Sequence, residues 1–253
     1  MRSNFIQTKN TQRFLDGMGK LEKRGASEAC FMVIDGKPGL GKTRTLNSWA
    51  TKNNCIFIRA KKQWTPNWML SELLDALHID PNHMFKKMFT QAIKALDSRY
   101  VQAQRDGGNL AIIVDEADHI SRKLDLLETL RDLTDHLEIP VILVGMGKVR
   151  DNLTKAPQIA SRVGQYVQFT PLDFDDCKLF INGISEIPAD DSLIGFTEKH
   201  SLGFSREMKE AVVNIEKFGK RNGLELVGLK DMRGELLMND RATGKPIFIP
   251  ENV

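Results

Sequence analysis

The sequence has few cysteines, no long apolar run and no strong excess of charge. The three cysteines, Cys30, Cys55 and Cys177, are far apart and form no CxxC pair, which argues against a zinc site and favours free thiols in a reducing cytosol. No apolar run reaches the about 18 residues that a membrane-spanning helix needs, and the N-terminus has no apolar signal stretch. We therefore expect a cytoplasmic protein with no membrane partner.

The composition is that of a folded chain with a sizeable core. Of the 253 residues, 41% are apolar and 27% are charged, which suits one large α/β domain and a small helical one. The net charge is only +3, so composition alone does not indicate nucleic acid. Residues 81–105 carry five lysines and arginines against Asp97. Such a run is usually a solvated helix face, and it matters only if the fold places it on one surface.

Short apolar runs alternate with helical stretches along the first two thirds of the chain. The runs are Ala29–Asp35, Cys55–Ala60, Leu110–Glu116, Val141–Gly145 and Tyr166–Thr170. Runs that are apolar on both faces are typical of strands in a parallel sheet that is covered by helices. The pattern predicts a three-layer α/β/α core with a five-stranded parallel sheet over residues 26–172.

The two ends of the chain have a different character. Residues 8–24 form an amphipathic pattern, with Phe14, Met18 and Leu21 on one stripe, so we predict an N-terminal helix within residues 1–25. Helical periodicity over 173–184, 192–200 and 205–218 predicts a small all-helical lid at 173–218, with Ser205 as a helix N-cap. We expect the tail, 219–253, to form a β-hairpin with strands at Leu224–Leu229 and Glu235–Met238.

The strongest motif is a complete GxxxxGK[ST] phosphate-binding loop. It consists of Gly36, Lys37, Pro38, Gly39, Leu40, Gly41, Lys42 and Thr43. Glycines let backbone N–H groups converge on phosphate oxygens. Lys42 is expected to reach the β- and γ-phosphates of ATP, and Thr43 to bind Mg²⁺ through its hydroxyl group. The helix that follows, which begins near Arg44, directs its positive end at the phosphates, and we count Arg44 among the nucleotide-binding residues.

A second motif is the apolar strand Leu110–Val114, which ends in Asp115 and Glu116. Burying two acidic side chains at the end of a strand costs free energy unless they contact a polar group or an ion. In a P-loop enzyme, Asp115 would lie near the Mg²⁺ ion and Glu116 would align and polarise the attacking water. The alternative is that both acids cap the helix that follows.

Three further residues are weaker candidates. Met146 follows the strand Val141–Val144. P-loop ATPases of the additional-strand type often place a polar sensor residue here, and methionine has no hydrogen-bond donor for a phosphate. Arg162 precedes the last predicted strand and is a candidate arginine finger for the ATP of a neighbouring subunit. Arg206 begins the last lid helix and is a candidate γ-phosphate contact. An exposed surface arginine is the alternative for Arg162 and Arg206.

Together these residues resemble the AAA+ family, initiator-like branch, and most closely the transposition target-selection ATPases, the group of the phage Mu B protein, TnsC and TniB. The resemblance rests on GKPGLGKT (36–43), IIVDEADHI (112–120), VILVGMGKV (141–149), SRV (161–163) and GFSRE (203–207). It covers roughly residues 10–217. The first two motifs are shared with many AAA+ proteins, including helicase loaders.

The resemblance implies an ATPase of a phage or mobile element that binds ATP and Mg²⁺ and self-associates into rings or helical filaments on double-stranded DNA. It also implies that a transposase is recruited or stimulated and that hydrolysis disassembles the filament. The DNA contacts implied by relatives fall on Lys86, Lys87, Arg122 and Lys123. Two alternatives stay open: a helicase loader similar to the DnaC/IstB group, and a nucleotide-gated scaffold with negligible hydrolysis.

Overall fold

In the computed structural model, which describes residues 1–2, 4–135 and 137–253, five strands form one parallel sheet. The strands are β1 (Phe31–Asp35), β2 (Ile56–Arg59), β3 (Ile112–Asp115), β4 (Val141–Val144) and β5 (Val163–Gln168). Their order across the sheet is β2-β3-β4-β1-β5. The predicted α/β fold with a five-stranded parallel sheet is confirmed.

The three central strands are buried along their whole length. Phe31 aligns with Val141, and Ile112 aligns with the same residue from the other side. Because both faces of these strands are covered, their residues are apolar without alternation. Because the strands are parallel, the carboxyl ends of β1 and β3 lie at the same edge of the sheet. This brings the residues that follow these two strands close together.

The described part of the chain forms two compact units. The sheet unit comprises residues 13–37 and 42–169, and the C-terminal unit comprises residues 1–12, 38–41 and 170–253. A helix at the N-terminus, α1, spans Lys9–Glu22. Its predicted apolar stripe of Phe14, Met18 and Leu21 is buried, as the amphipathic pattern requires.

Helices and one 3₁₀ turn connect the strands of the sheet unit. They are α2 (Lys42–Asn53), α3 (Pro66–Ala76), α4 (Phe85–Arg105), the 3₁₀ turn Ala117–His119, α5 (Leu124–Asp135), α6 (Val149–Leu153) and α7 (Pro157–Ala160). Helix α3 has an N-cap at Thr65, whose side chain accepts a hydrogen bond from the backbone of Trp68, and Pro66 in its first turn. These are the residue types that helix starts favour.

The C-terminal unit contains the three helices that the periodicity predicts. They are α8 (Phe174–Ile184), α9 (Asp191–Ser201) and α10 (Ser205–Asn222). Asp173 and Asp190 cap the first two by accepting backbone N–H groups of Asp176 and Leu193. The antiparallel strands β6 (Leu236–Asn239) and β7 (Pro246–Phe248) follow. Leu237, Met238 and Ile249 are buried in the same apolar core as the helices.

Two local predictions in this unit are wrong. The N-cap of α10 is Phe204 rather than Ser205, whose hydroxyl group donates instead to the carbonyl of Gly39 at 2.9 Å. The segment 224–229 is not a strand. Only Val227 there forms a β-bridge, to Ala189; Val227 is buried and Leu226 is 52% exposed.

Candidate nucleotide-binding site

The loop Gly36–Thr43 connects the carboxyl end of β1 to the first turn of α2. Gly39 and Gly41 have φ angles of +89° and +85°, which side chains with a Cβ rarely adopt. Residues Gly36, Lys37, Lys42 and Thr43 belong to the sheet unit, and Pro38–Gly41 belong to the C-terminal unit. The start of α2 contributes the first N–H groups of a helix and the positive end of its dipole, which favour an anion.

Lys42 is buried in the sheet unit, with 8% of its surface exposed. Its ammonium group donates to the carbonyl oxygens of Gly36 and, at 3.0 Å, of Lys37. Burial lowers the pKa of Lys42, and nearby carboxylates, led by Asp115, act in the opposite direction. A buried cation that is held by weak neutral acceptors is suited to bind a phosphate group, which would supply the charge that the carbonyl groups lack.

Thr43 and Asp115 are brought together from the start of α2 and the end of β3. The Thr43 hydroxyl group donates to Oδ2 of Asp115 at 2.9 Å, and Oδ1 of Asp115 accepts the backbone N–H of Glu116 at 2.9 Å. Asp115 is 5% exposed. A hydroxyl oxygen beside a buried carboxylate is a hard oxygen pair of the kind that Mg²⁺ uses together with phosphate oxygens and water. These residues therefore fit the predicted metal.

Glu116 has an unusual backbone conformation, with φ 55° and ψ 36°. A residue with a Cβ in this left-handed region costs about 1 kcal/mol or more. Its side chain is 37% exposed, and Oε1 lies 3.8 Å from Nε of Arg59. Oε2 lies 3.6 Å from Nε2 of His119. The strained turn therefore places the carboxylate between two side chains that bear N–H groups, those of Arg59 and His119.

Arg59 is a site residue that the sequence analysis does not identify. It is the last residue of β2, directly beside Asp115 in the register of the sheet. Its guanidinium group also approaches Oδ2 of Asp115, at 3.8 Å. The signal that points to it is positional: it is a cation at the carboxyl end of a strand that neighbours the Asp-Glu strand.

The loop after β4 is fixed by two aspartates. Asp35 accepts the backbone N–H groups of Gly147 and Arg150 at 3.0 and 3.1 Å, and Asp118 accepts that of Met146 at 2.6 Å. A Cβ on Gly145 would lie 2.3 Å from Cγ2 of Val149 and 2.7 Å from Oδ1 of Asp35, so only glycine fits there. The Met146 side chain is 46% exposed and offers a thioether rather than a donor.

Within the C-terminal unit, the segment Pro38–Gly41 is contacted by α10 and by the turn that follows β6. Ser205 donates to the Gly39 carbonyl at 2.9 Å, and Nη2 of Arg241 donates to the Pro38 carbonyl at 2.9 Å. Arg206 is exposed in the first turn of α10, with its Cβ 3.6 Å from the position that a Cβ on Gly39 would take. The sequence motifs do not identify Arg241.

Arg162, the candidate arginine finger, lies between α7 and β5. Its Nη2 donates to Oδ2 of Asp135 at 3.1 Å, and its side chain is 24% exposed. The backbone carbonyl of Arg162 also accepts the N–H of Phe31, so the residue is anchored to the sheet. A role toward another subunit would require the Asp135 pair to open, and Arg162 as a finger stays a prediction.

The candidate DNA-contact residues belong to two segments of the sheet unit. Lys86 and Lys87 are exposed in the first turn of α4, and Arg122 is exposed before α5. Arg122 donates to Oδ1 of Asn152 at 3.1 Å. Lys123 donates to the carbonyl groups of Lys62 and Trp64 at 2.7 and 3.0 Å, so its ammonium group holds the 62–64 segment and is less available than the other three.

A third segment, residues 61–68, lies against both the start of α4 and the segment before α5. Lys123 contacts it as described, and Trp68 lines one groove together with Asn82, His83 and Met88. Trp64 is buried, whereas Trp68 is 42% exposed. The Lys61 ammonium group lies 5.2 Å from the ring centroid of Trp68. The two predicted segments and Lys61, Lys62 and Trp68 therefore form one connected surface, which we call the basic surface.

The sheet order, the phosphate-binding loop after β1 and the Thr43–Asp115 pair define a P-loop nucleotide-binding protein. Residues 24–153 match the AAA domain family, which is just over half of the 253 residues. The chain belongs to this family of ATP-binding ATPases.

Comparisons with individual proteins agree with this assignment. The chain is 27% identical over 208 residues to a potential ATP-binding protein of Staphylococcus aureus, across 68% of this chain and 70% of that protein. Its fold is similar to the Aeropyrum pernix ORC2 protein in its ADPNP-ADP complexes, with a TM-score of 0.64, 14% identity and coverage of 89% of this chain and 67% of that one. It is also similar to the Aeropyrum pernix ORC1 protein in complex with DNA, with a TM-score of 0.56, 17% identity and coverage of 89% and 63%.

No group of three or more His, Cys, Asp or Glu side chains in the described residues is arranged to hold a metal ion. A magnesium ion at Thr43 and Asp115 would take its further ligands from phosphate oxygens and water. The thiols of Cys30, Cys55 and Cys177 are free, and burial raises the pKa of Cys55 and Cys177 to about 12.

Among the described helices, none is long and apolar enough to cross a membrane.

Proposed function

We propose that this protein hydrolyses ATP with Mg²⁺ and uses the bound nucleotide to control its assembly on double-stranded DNA, where it recruits or stimulates a transposase. The observation that carries the ATPase part is the hydrogen-bonded pair of Thr43 and Asp115 beside the buried Lys42. These three side chains support the proposal, because a P-loop enzyme needs a metal ligand, a carboxylate for the metal shell and a cation for the phosphates.

The chain's own residues divide the work. Lys42 and the backbone of the loop would bind the β- and γ-phosphates, and Thr43 and Asp115 would hold Mg²⁺, which when bound would supply positive charge against the phosphates. Glu116 orients the attacking water and accepts its proton. Arg206, in the first turn of α10, is our candidate for a γ-phosphate contact, and Arg162 would complete the site of a neighbouring subunit.

The basic surface supports the DNA part of the proposal. Exposed lysines and arginines belong to its segments, although Lys61 also pairs with Glu72, and phosphate contacts need cations without a base-reading code. The solved structure of the Aeropyrum pernix ORC1 protein with DNA supports the same direction, because its fold is similar to this chain. The transposition part rests on the motif combination in residues 112–149, which is similar to that of target-selection ATPases.

The DNA assay compares the double variant Lys86→Ala/Lys87→Ala with the control Arg105→Ala. Arg105 is exposed at the opposite end of the same helix, α4. We expect the double variant to weaken duplex binding in the presence of ATP and to lower the slope of log affinity against log salt by about 2. Fluorescence anisotropy over a salt series measures both quantities. Equal slopes for the two variants and the unchanged protein would remove Lys86 and Lys87 from the interface.

Electron microscopy with ATP, with and without duplex DNA, tests the assembly. Rings or filaments that need both ATP and duplex DNA support the proposal. Filaments that persist with Glu116→Gln support hydrolysis as the disassembly step.

A strong preference for single-stranded DNA would favour the helicase-loader alternative. Assembly without measurable ATP turnover would favour the nucleotide-gated scaffold, which the lack of a polar donor on Met146 also favours. Stimulation of strand transfer by the transposase of the same genetic element tests the last part.

A further inference from the structure

The turn between β6 and β7 places an arginine on the phosphate-binding loop. Arg241 Nη2 donates to the carbonyl oxygen of Pro38 at 2.9 Å, and its Nη1 donates to Oε1 of Glu207 at 2.7 Å. The guanidinium carbon lies 4.0 Å from the ring centroid of Phe204. All of these residues belong to the C-terminal unit. One side chain therefore links the turn, the start of α10 and the loop.

The turn itself is held in a fixed conformation. Oδ1 of Asp240 accepts the backbone N–H groups of Ala242 and Thr243 at 3.0 and 2.7 Å, and also the Thr243 hydroxyl group at 2.7 Å. Strand β6 packs on α10, and the Leu237 carbonyl accepts the side-chain amide of Asn214 at 2.9 Å. A side chain that starts from so constrained a turn loses little further entropy when it contacts the loop.

The pairing of Arg241 with Glu207 holds the guanidinium plane in place. Glu207 is 11% exposed and Arg241 is 30% exposed at their side chains. The second carboxylate oxygen of Glu207 is buried, without a hydrogen-bond partner among the residues that the structure describes. A mostly buried carboxylate needs a cation close by, and the planar fork of arginine contacts the carboxylate and the Pro38 carbonyl at once, which the single ammonium group of lysine cannot do in the same geometry.

The loop is shaped to accept this contact. A Cβ on Gly39 would lie 2.9 Å from Nη1 of Arg241 and 3.6 Å from the ring of Phe204. Gly39 occupies one of the four unspecified positions of GxxxxGK[ST], so the phosphate motif as written does not require glycine there. Its positive φ angle favours glycine, and a Cβ there would also have to displace the guanidinium group of Arg241. The guanidinium group thus lies against the loop at a residue that has no side chain.

We propose that Arg241 is a positioning residue for the nucleotide-binding loop: it fixes the Pro38–Gly39 turn from the carbonyl side and makes ATP affinity depend on the C-terminal hairpin. Its own contacts are to loop backbone and to Glu207, so it acts through the loop. This inference rests on the nucleotide-binding role of the loop, and it extends the nucleotide machinery to a part of the chain beyond the recognisable motifs.

The test uses the full-length protein with three substitutions. Arg241→Ala removes both contacts, Arg241→Lys keeps a cation beside Glu207, and Lys245→Ala removes a charge from the same turn without a contact to the loop. We expect Arg241→Ala to bind ATP with Mg²⁺ about 5- to 10-fold more weakly, as the loss of one charge-assisted hydrogen bond implies. We expect Arg241→Lys to be intermediate and Lys245→Ala to match the unchanged protein.

A second measurement does not depend on ATP binding. Hydrogen exchange of the free protein, followed by mass spectrometry, reports how often the loop at residues 36–43 opens. We expect faster exchange there for Arg241→Ala, with exchange in β1 and β3 unchanged. Should loss of the Glu207 partner unfold Arg241→Ala, Arg241→Lys, which retains that partner, is expected to fold and to show the same change in smaller degree.

The outcomes separate this inference from the proposed function. ATP affinity and loop exchange equal to those of the unchanged protein in both Arg241 variants would overturn the positioning role, while the Lys42-based nucleotide site would stand. If the unchanged protein does not bind ATP, the proposed function fails, and the exchange measurement still decides whether Arg241 holds the loop. Equal losses in Lys245→Ala and Arg241→Ala would also contradict the inference, because the effect would then be one of charge alone.

Discussion

The hydroxyl group of Thr43 and the carboxylate of Asp115 lie within hydrogen-bonding distance, 2.9 Å, although 72 positions separate them in the sequence. The parallel sheet produces this contact, because β1 and β3 end at the same edge. The pair is the most direct structural support for a metal-dependent nucleotide site, since it joins the residue expected to bind the metal to the residue expected to order its water shell.

Thr43→Ala should weaken ATP binding only when magnesium is present. The substitution removes one oxygen ligand and leaves Lys42 and the loop backbone unchanged, so we expect an affinity loss of about tenfold with Mg²⁺ and little change in EDTA. Thr43→Ser keeps the hydroxyl group and serves as the matched control. Isothermal titration calorimetry in the two conditions checks this. Equal losses in both conditions would mean that Thr43 is structural.

Arg59→Gln should raise ATP turnover. The Arg59 guanidinium group lies 3.8 Å from the carboxylates of both Asp115 and Glu116, and this ion pairing holds Glu116 toward β2. Its release, a change of about 1 kcal/mol for a partly exposed pair, is expected to raise turnover about 2- to 5-fold at saturating ATP. The double variant Arg59→Gln/Glu116→Gln should be as inactive as Glu116→Gln alone. A fall in turnover in Arg59→Gln would show that Arg59 assists the reaction instead.

Arg162→Ala should lower turnover only in the assembled protein. An arginine supplied to a neighbouring site is worth about 10³-fold or more in rate, whereas nucleotide affinity of the isolated subunit should stay unchanged. Arg131→Ala is the control, because Arg131 approaches the same acidic side chain of Asp135, at 3.9 Å. ATPase assays over a range of protein concentrations check this prediction. Turnover per subunit that is independent of concentration, and equal in both variants, would contradict the finger role.

Much of the sheet could be predicted because its strands are buried on both faces. Apolar runs locate β1, β3 and β4 within two residues at each end. The fifth strand is predicted at Tyr166–Thr170 but lies at Val163–Gln168. It is an edge strand in which only Val167 is fully buried, so its first half carries no apolar signal. The hairpin strand predicted at Leu224–Leu229 is misplaced because a short apolar segment does not by itself specify a strand; only Val227 there forms a β-bridge.

The residues of the candidate site also fall into two groups, those that a local motif predicts and those that only the folded structure brings together. Residues within a contiguous motif, such as Lys42, Thr43 and Glu116, could be proposed as site residues from spacing alone. Arg59 and Arg241 could not, because their relevance comes from tertiary proximity. Arg241 contacts a carbonyl group 203 positions away, and no local pattern encodes such a contact. Ser205 shows the converse: a residue type typical of a helix cap binds the loop instead.

Equilibrium binding of ATP and Mg²⁺ to the unchanged protein, to Lys42→Ala and to Lys52→Ala is the most direct test of the account. Lys52 is exposed at the far end of the same helix, α2, and its removal is expected to leave affinity unchanged. Loss of the Lys42 ammonium group should weaken binding about 10- to 100-fold or more, as the loss of a charge-assisted contact to phosphate implies. No binding by the unchanged protein, or equal binding by Lys42→Ala, would contradict the nucleotide site.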